Sequence, residues 1–247
     1  MKKTRIFLIF STLVLIGAEF PLQSHAAIAL DRTRIVFDGG QKSMSVNVSN
    51  ENKQLPYLAQ AWIEDAQGNK IQSPLTVLPP VQRIEPGAKS QVKLQSLPGI
   101  VALPQNIESV YYFNLREIPP RSNKPNTLQL ALQTRIKLFY RPGALKVDPG
   151  AAPWQEKITL TRRGDGFVVN NPEPYFVTIS EARNNVQGLP LKGFEPVMVA
   201  PKSSAPLKGI SGGIPVLSYI NDFGGREQLS FICSGSLCTA KSVKQKA

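Results

Sequence analysis

Leu128-Gln129-Leu130-Ala131-Leu132-Gln133-Thr134-Arg135-Ile136-Lys137-Leu138-Phe139-Tyr140 runs into Arg141-Pro142-Gly143, and a loose stretch follows, Asp148-Pro149-Gly150-Ala151-Ala152-Pro153. The leucines of the first run alternate with polar or small residues, the period of a strand with one apolar face. On pattern alone this is a half-buried core strand. The Pro- and Gly-rich stretch sustains neither strand nor helix and reads as a linker. A strand that ends in a linker past the middle of a 247-residue chain divides it, and the division expected is residues 27–146 and 147–247.

Upstream, short alternating segments recur at Arg34 to Phe37, Ser43 to Val48 and Tyr57 to Ile63, closed by Asn50-Glu51-Asn52 and Gln67-Gly68-Asn69. Downstream they resume at Lys157 to Leu160, Gly166 to Val169, Tyr175 to Ile179, Pro196 to Val199 and Leu229 to Cys233. Eighteen Gly and 21 Pro supply the turns that so many short strands need. The fold class is therefore all-β, and the first half reads as a seven-strand sandwich with immunoglobulin-like connections.

The chain opens with Lys2, Lys3 and Arg5, an apolar run from Ile6 to Ala18, and Ser24-His25-Ala26, the small-x-small pattern at which secretory leaders are cleaved. The run is shorter than the roughly 20 residues that span a bilayer. Residues 1–26 are thus expected to be a signal peptide, with Ala27 first in the mature chain. The leader holds three basic residues and one acidic one, so the net charge of +12 becomes +10. Such a balance favours a partner with acidic groups.

The only histidine, His25, falls in that leader. The remainder has no imidazole for Ser-His-Asp or Cys-His catalysis or for a His-based zinc site. Cys233 and Cys238 are the only cysteines and do not form a CxxC pair; in an oxidising compartment a structural disulfide is expected.

Several runs together carry a family resemblance. They are Leu30-Asp31-Arg32-Thr33-Arg34, Gln54-Leu55-Pro56-Tyr57-Leu58-Ala59-Gln60-Ala61-Trp62, Pro79-Pro80-Val81-Gln82-Arg83 with Glu85-Pro86-Gly87, and Tyr112-Phe113-Asn114-Leu115-Arg116-Glu117-Ile118-Pro119-Pro120. The second half adds Asn171-Pro172-Glu173-Pro174-Tyr175 and Tyr219-Ile220-Asn221-Asp222-Phe223-Gly224-Gly225. Across essentially the whole mature length the chain resembles the periplasmic pilus chaperones of the chaperone-usher pathway. The resemblance implies two immunoglobulin-like β-sandwich domains set in an L or boomerang with the working cleft between them. It also implies a periplasmic protein that caps pilus subunits and adhesins, delivers them to an outer-membrane usher, and in its free form can cap a second copy of itself.

Carried onto this sequence, the resemblance turns Leu128, Leu130 and Leu132 from core residues into a donor strand lent to an incomplete subunit. It makes Arg34 and Lys137 the pair of cleft cations that hold the subunit's terminal carboxylate. It makes Glu108, Arg141 and Asp222 an ionic contact between the domains. The short segment Arg121 to Thr127 resembles the short-loop subgroup that builds rod-like pili. One tension follows from parity: an undistorted strand turns Lys137 away from the face of the even-numbered leucines, so either a bulge intervenes or the cleft wraps the strand there.

No catalytic residues, cofactor or metal are expected, since the mature chain has neither a Gly-rich phosphate loop nor a paired-carboxylate spacing. Export and the lack of basic runs interleaved with aromatics argue against nucleic acid as a partner. The competing reading is a pilus subunit or adhesin, which shares export and β structure. A subunit has a free N-terminal extension and one incomplete domain, whereas here strand-like sequence begins at once and a second half follows.

Overall fold

The computed structural model describes residues 26–148 and 150–243; the expected leader falls almost wholly on residues 1–25, outside the described residues. Ten strands form the first half: β1 (Ile28–Leu30), β2 (Arg34–Asp38), β3 (Ser43–Asn50), β4 (Tyr57–Glu64), β5 (Lys70–Ile71), β6 (Leu75–Leu78), β7 (Val81–Ile84), β8 (Lys89–Ser96), β9 (Ser109–Ile118) and β10 (Gln133–Arg141). One sheet has the order β1-β3-β8-β6, the facing sheet β2-β10-β9-β4-β5, with β7 on β4. Strand period explains the packing. Along β3, Val46 and Val48 turn inward while Ser45 and Asn47 face water, and Val92 and Leu94 of β8 join them in the core.

Seven expected strands become ten for a local reason. The N-terminal edge is split, with β1 pairing β3 in one sheet and β2 pairing β10 in the other, and the short β5 and β7 both lean on β4.

The second half contains β11 (Thr159–Arg163), β12 (Gly166–Asn171), β13 (Val177–Arg183), β14 (Val197–Val199), β15 (Ser203–Leu207), β16 (Val216–Ile220), β17 (Arg226–Ser234) and β18 (Leu237–Ser242). They form one sheet, β14-β13-β16-β17-β18-β11-β12-β15, whose end strands β14 and β15 meet as the sheet folds over a core of Leu160, Val169, Ile179, Leu217, Tyr219 and Leu229. Gly235 turns β17 into β18 at φ +63°, and across this hairpin Cys233 and Cys238 are opposed and disulfide-bonded. The fold is nearly all-β, as the sequence pattern indicates.

The strand that closes the first half is shorter than its leucine pattern suggests. It begins at Gln133, and Leu128 to Leu132 lie outside any strand. The cause is opposite them: β9 ends at Ile118, and the next residues, Pro119 and Pro120, have no N–H to offer a ladder. The last backbone bond on this side runs from Glu117 N to Leu132 O, 3.0 Å.

Candidate functional site

β10 governs the site. From Gln133 to Tyr140 it pairs β9 in unbroken antiparallel register, so no bulge intervenes. Its even residues Ile136, Leu138 and Tyr140 pack into the first core, whereas Lys137, Phe139 and Arg141 face the second domain. On its other side β10 meets β2 only from Lys137 onward, in parallel, with Lys137 opposite Arg34. Residues 133–136 therefore present an open backbone edge, which begins where the two cations stand.

Arg34 is 9% exposed. Its Nη1 donates to Ile220 O at 3.1 Å, its guanidinium stands 6.0 Å from the Phe139 ring, and its buried Nε has no hydrogen-bond partner. Lys137 Nζ donates to Thr178 Oγ1 at 3.1 Å. Burial, and then the charge of Arg34, push the Lys137 ammonium down from 10.5 to about 8. Burial also lowers Arg34, against the pull of Asp222 and Glu108. No carboxylate among the described residues forms an ion pair with either cation. Two adjacent, poorly hydrated cations with an unused N–H offer the charge and the donor that a carboxylate accepts.

The leucines next to the open edge are exposed: Leu128 at 81%, Leu130 at 64% and Leu132 at 41%. This removes the core-strand reading. An apolar residue on every second position, tied to β9 by backbone only at Leu132 and open on its other side, has the pattern of an unfinished sheet edge. Gln129 Nε2 donates to Pro120 O and so keeps the segment against the end of β9.

The third group joins the domains. Arg141 Nε donates to Glu108 Oε1 at 2.7 Å, while Nη1 and Nη2 grip Asp222 at 2.7 and 3.1 Å. The other oxygen of Glu108 accepts from Phe176 N at 2.8 Å, and its own N–H reaches Pro174 O at 2.9 Å. Burial raises the Glu108 carboxyl above its ordinary value, with the Arg141 charge and the Phe176 N–H acting against that. Burial opposes the Arg141 charge as well, but the Asp222 hydrogen bond and both carboxylate charges outweigh it, and the guanidinium stays cationic.

Two family models account for most of this architecture. The model described as pili and flagellar-assembly chaperone, PapD N-terminal domain, matches residues 27–146, and that of the pili assembly chaperone PapD, C-terminal domain, matches residues 153–231. The chain belongs to the pilus-assembly chaperones. It is 54% identical over 227 residues to the probable fimbrial chaperone YfcS of Escherichia coli K12, covering 92% of this chain and 91% of that one. It is also 54% identical over 220 residues to the chaperone protein PapD of Escherichia coli, covering 89% and 92%. Among solved structures it resembles the chaperone YadV, with 34% identity and a TM-score of 0.65 over 81% of this chain and 96% of that one. It also resembles the Salmonella enterica SafB chaperone solved in complex with the SafA pilin, with 26% identity and a TM-score of 0.68 over 82% and 94%. Membership of this family sets aside the reading as a pilus subunit or adhesin.

In this chaperone the structure brings Arg34 beside Lys137 and gathers Glu108, Arg141 and Asp222 into one cluster. It leaves the three leucines apart from the cations, on the segment leading to them. The parity tension disappears because Lys137 lies on the regular strand β10, which begins at Gln133, whereas the leucines precede that strand. A cleft of about 780 Å³ passes Arg34 on the linker side, lined also by Arg32, Trp154, Tyr219 and Phe223; Lys137 is outside it. Thr178, Phe176 and the Ile220 carbonyl, which hold the cations and Glu108 from the second domain, carry no sequence signal of that role.

Proposed function

We propose that this chaperone works in the periplasm after losing residues 1–26, captures incomplete pilus subunits and adhesins by donating the Leu128–Leu132 segment as a strand, and passes them to an outer-membrane usher. The supporting observation is the run of exposed alternating leucines beside an open edge that starts at the buried Arg34 and the half-buried Lys137, neither of which is ion-paired with a carboxylate among the described residues. A subunit strand laid along that edge, in line with β2, ends at Arg34 and Lys137. Its terminal carboxylate fixes the register, and register matters because a slip of one residue turns every side chain to the wrong face. Such a strand runs parallel to β10, since β2 does. Three leucines buried in the subunit's groove contribute roughly 5 to 9 kcal/mol before ordering costs. That holds a subunit and still lets another donor strand replace it. In the free chaperone the same edge is open to a second copy. The family's chaperone role and the absence of mature histidine support a non-enzymatic protein.

The test is Leu130→Glu with Leu132→Glu. Exposed positions accept charge, so the variant is expected to be secreted, to melt within a few degrees of the parent and to co-purify with no co-expressed subunit. Normal capture by this variant defeats the donor-strand reading.

A further inference from the structure

Glu117 is a buried acid that subunit capture leaves unused. It sits on the core-facing side of β9 with Tyr111, Phe113 and Leu115, and is 6% exposed. A carboxylate this buried ordinarily has a cation beside it. None of the Lys and Arg side chains among the described residues forms an ion pair with it. Its Oε2 instead accepts from the backbone N–H of Ile28, at 2.9 Å.

Ile28 opens β1 and directly follows Ala27. This stretch cannot swing away. Ala27 O accepts from Glu51 N at 2.7 Å, and Ile28, Ala29 and Leu30 pair with Asn50, Ser49 and Val48. Whatever charge the Ala27 nitrogen carries is therefore held within a residue of Glu117, one Cα step being about 3.8 Å.

We propose that Glu117 is the docking site for the α-ammonium that leader removal leaves on Ala27, so that processing supplies the missing cation and locks β1 onto β9. This rests on the leader reading above. Hydrolysis of the Ala26–Ala27 bond consumes one water and leaves a carboxylate on Ala26 and an ammonium on Ala27; before cleavage the same nitrogen is a neutral amide. The lock has a bearing on capture, because Glu117 N also donates to Leu132 O, where the leucine segment leaves the sheet.

The charged groups around this point are few. Glu51, whose Oε1 accepts from Ser49 Oγ at 2.6 Å, adds a second acid near Ala27. Lys53 lies beyond it in the next turn, and Lys89 stands opposite Ser49 on β8; neither forms an ion pair among the described residues. Ala59 of β4 faces Glu117 across the sheet, and Arg116 turns to the opposite side against Trp62. An α-amino group ordinarily titrates near 7.7 to 8.0. A carboxylate neighbour raises that value, so the gain in stability is complete below about pH 7.7 and is lost as the pH rises through the raised one.

The experiment compares two mature chains, one starting at Ala27 and one carrying Gly-Ser before it, each in the parent and in the Glu117→Gln background. Melting at pH 7 should be higher for the Ala27 start by on the order of 5 °C, the gap should close by pH 10, and it should be absent with Glu117→Gln. The extension alters no core residue, and the readout is the gap between starts within one background, so a general loss of stability in Glu117→Gln does not obscure it. Equal melting of the two parent chains at pH 7, or a gap that survives Glu117→Gln, overturns the proposal. Intact mass of the periplasmic protein tests the leader separately: a natural start elsewhere overturns the processing step, and the melting comparison still judges the Glu117 site.

Discussion

Two cationic clusters stand two pleat repeats apart on the same face of β10, at Lys137 and Arg141, and they are built in opposite ways. Arg141 meets two carboxylates, Glu108 and Asp222, and every contact spans or abuts the domain junction. Lys137, with Arg34 beside it, meets a hydroxyl and a carbonyl oxygen and, among the described residues, forms no ion pair with an acid. A cation matched by its own chain belongs to the frame. A cation held without an anion, against its own desolvation, is a cost to the free protein that an incoming anion relieves. The frame cluster sets where the second domain sits, and that domain supplies the Thr178 and Ile220 atoms that hold the other pair.

The largest expected effect comes from breaking the matched cluster. Arg141→Ala leaves Glu108, whose side chain is 1% exposed, as a buried carboxylate without its cation. The cost is about 3–5 kcal/mol of stability, read as a fall in melting temperature on the order of 10 °C. Glu108→Leu added to Arg141→Ala should recover much of it. A loss below about 1 kcal/mol would mean that the cluster behaves like an ordinary surface pair.

Removing the unmatched cations should do the reverse. Arg34→Ala and Lys137→Ala each delete a desolvated charge that has no ion-pair partner among the described residues, so melting should hold or rise. Capture of a subunit should weaken by about 2–5 kcal/mol, roughly 30-fold to several thousand-fold, because the subunit's carboxylate is left under-compensated. Binding titrations on folded variants measure this. Equal losses of stability and capture would merge the two clusters into one structural unit.

What could be read from the sequence follows what local chemistry controls. The alternation of Leu128, Leu130 and Leu132 is visible in the chain, but whether it is core or edge depends on what lies opposite, and Pro119 and Pro120 decide that only once β9 and β10 are paired. β15 was hidden by Pro206, which an outermost strand tolerates because its N–H side needs no partner. β16 and β18 also escaped, although Val216–Ile220 is apolar enough to be found. Arg34 and Lys137 are far apart in sequence and adjacent only through parallel pairing, so periodicity could not join them; the family resemblance could. The contacts of Thr178 and Phe176 with the first domain depend on how the domains meet and have no local signature.

The smallest effect, and the one that most sharpens the contrast, is in pH. Lys137 titrates at about 8 in the free chaperone against 10.5 unperturbed. Between these values the unfolded chain keeps a proton that the folded chain has released, so the contribution of this group to folding stability rises with pH across that window. Capture moves the other way. A bound carboxylate favours the charged ammonium and raises its titration above 8, so binding takes up a proton and affinity falls as the pH climbs past 8. The limit is tenfold, about 1.4 kcal/mol, for each pH unit. Arg141, paired with two carboxylates, contributes no such slope. Subunit affinity measured from pH 7 to 9.5 should therefore be level at first and then decline, and Lys137→Arg, whose guanidinium keeps its proton throughout, should remove the decline. A parent curve that stays flat to pH 9.5 would show that the ammonium does not meet the carboxylate, and Arg34 would then be left as the only cation holding it.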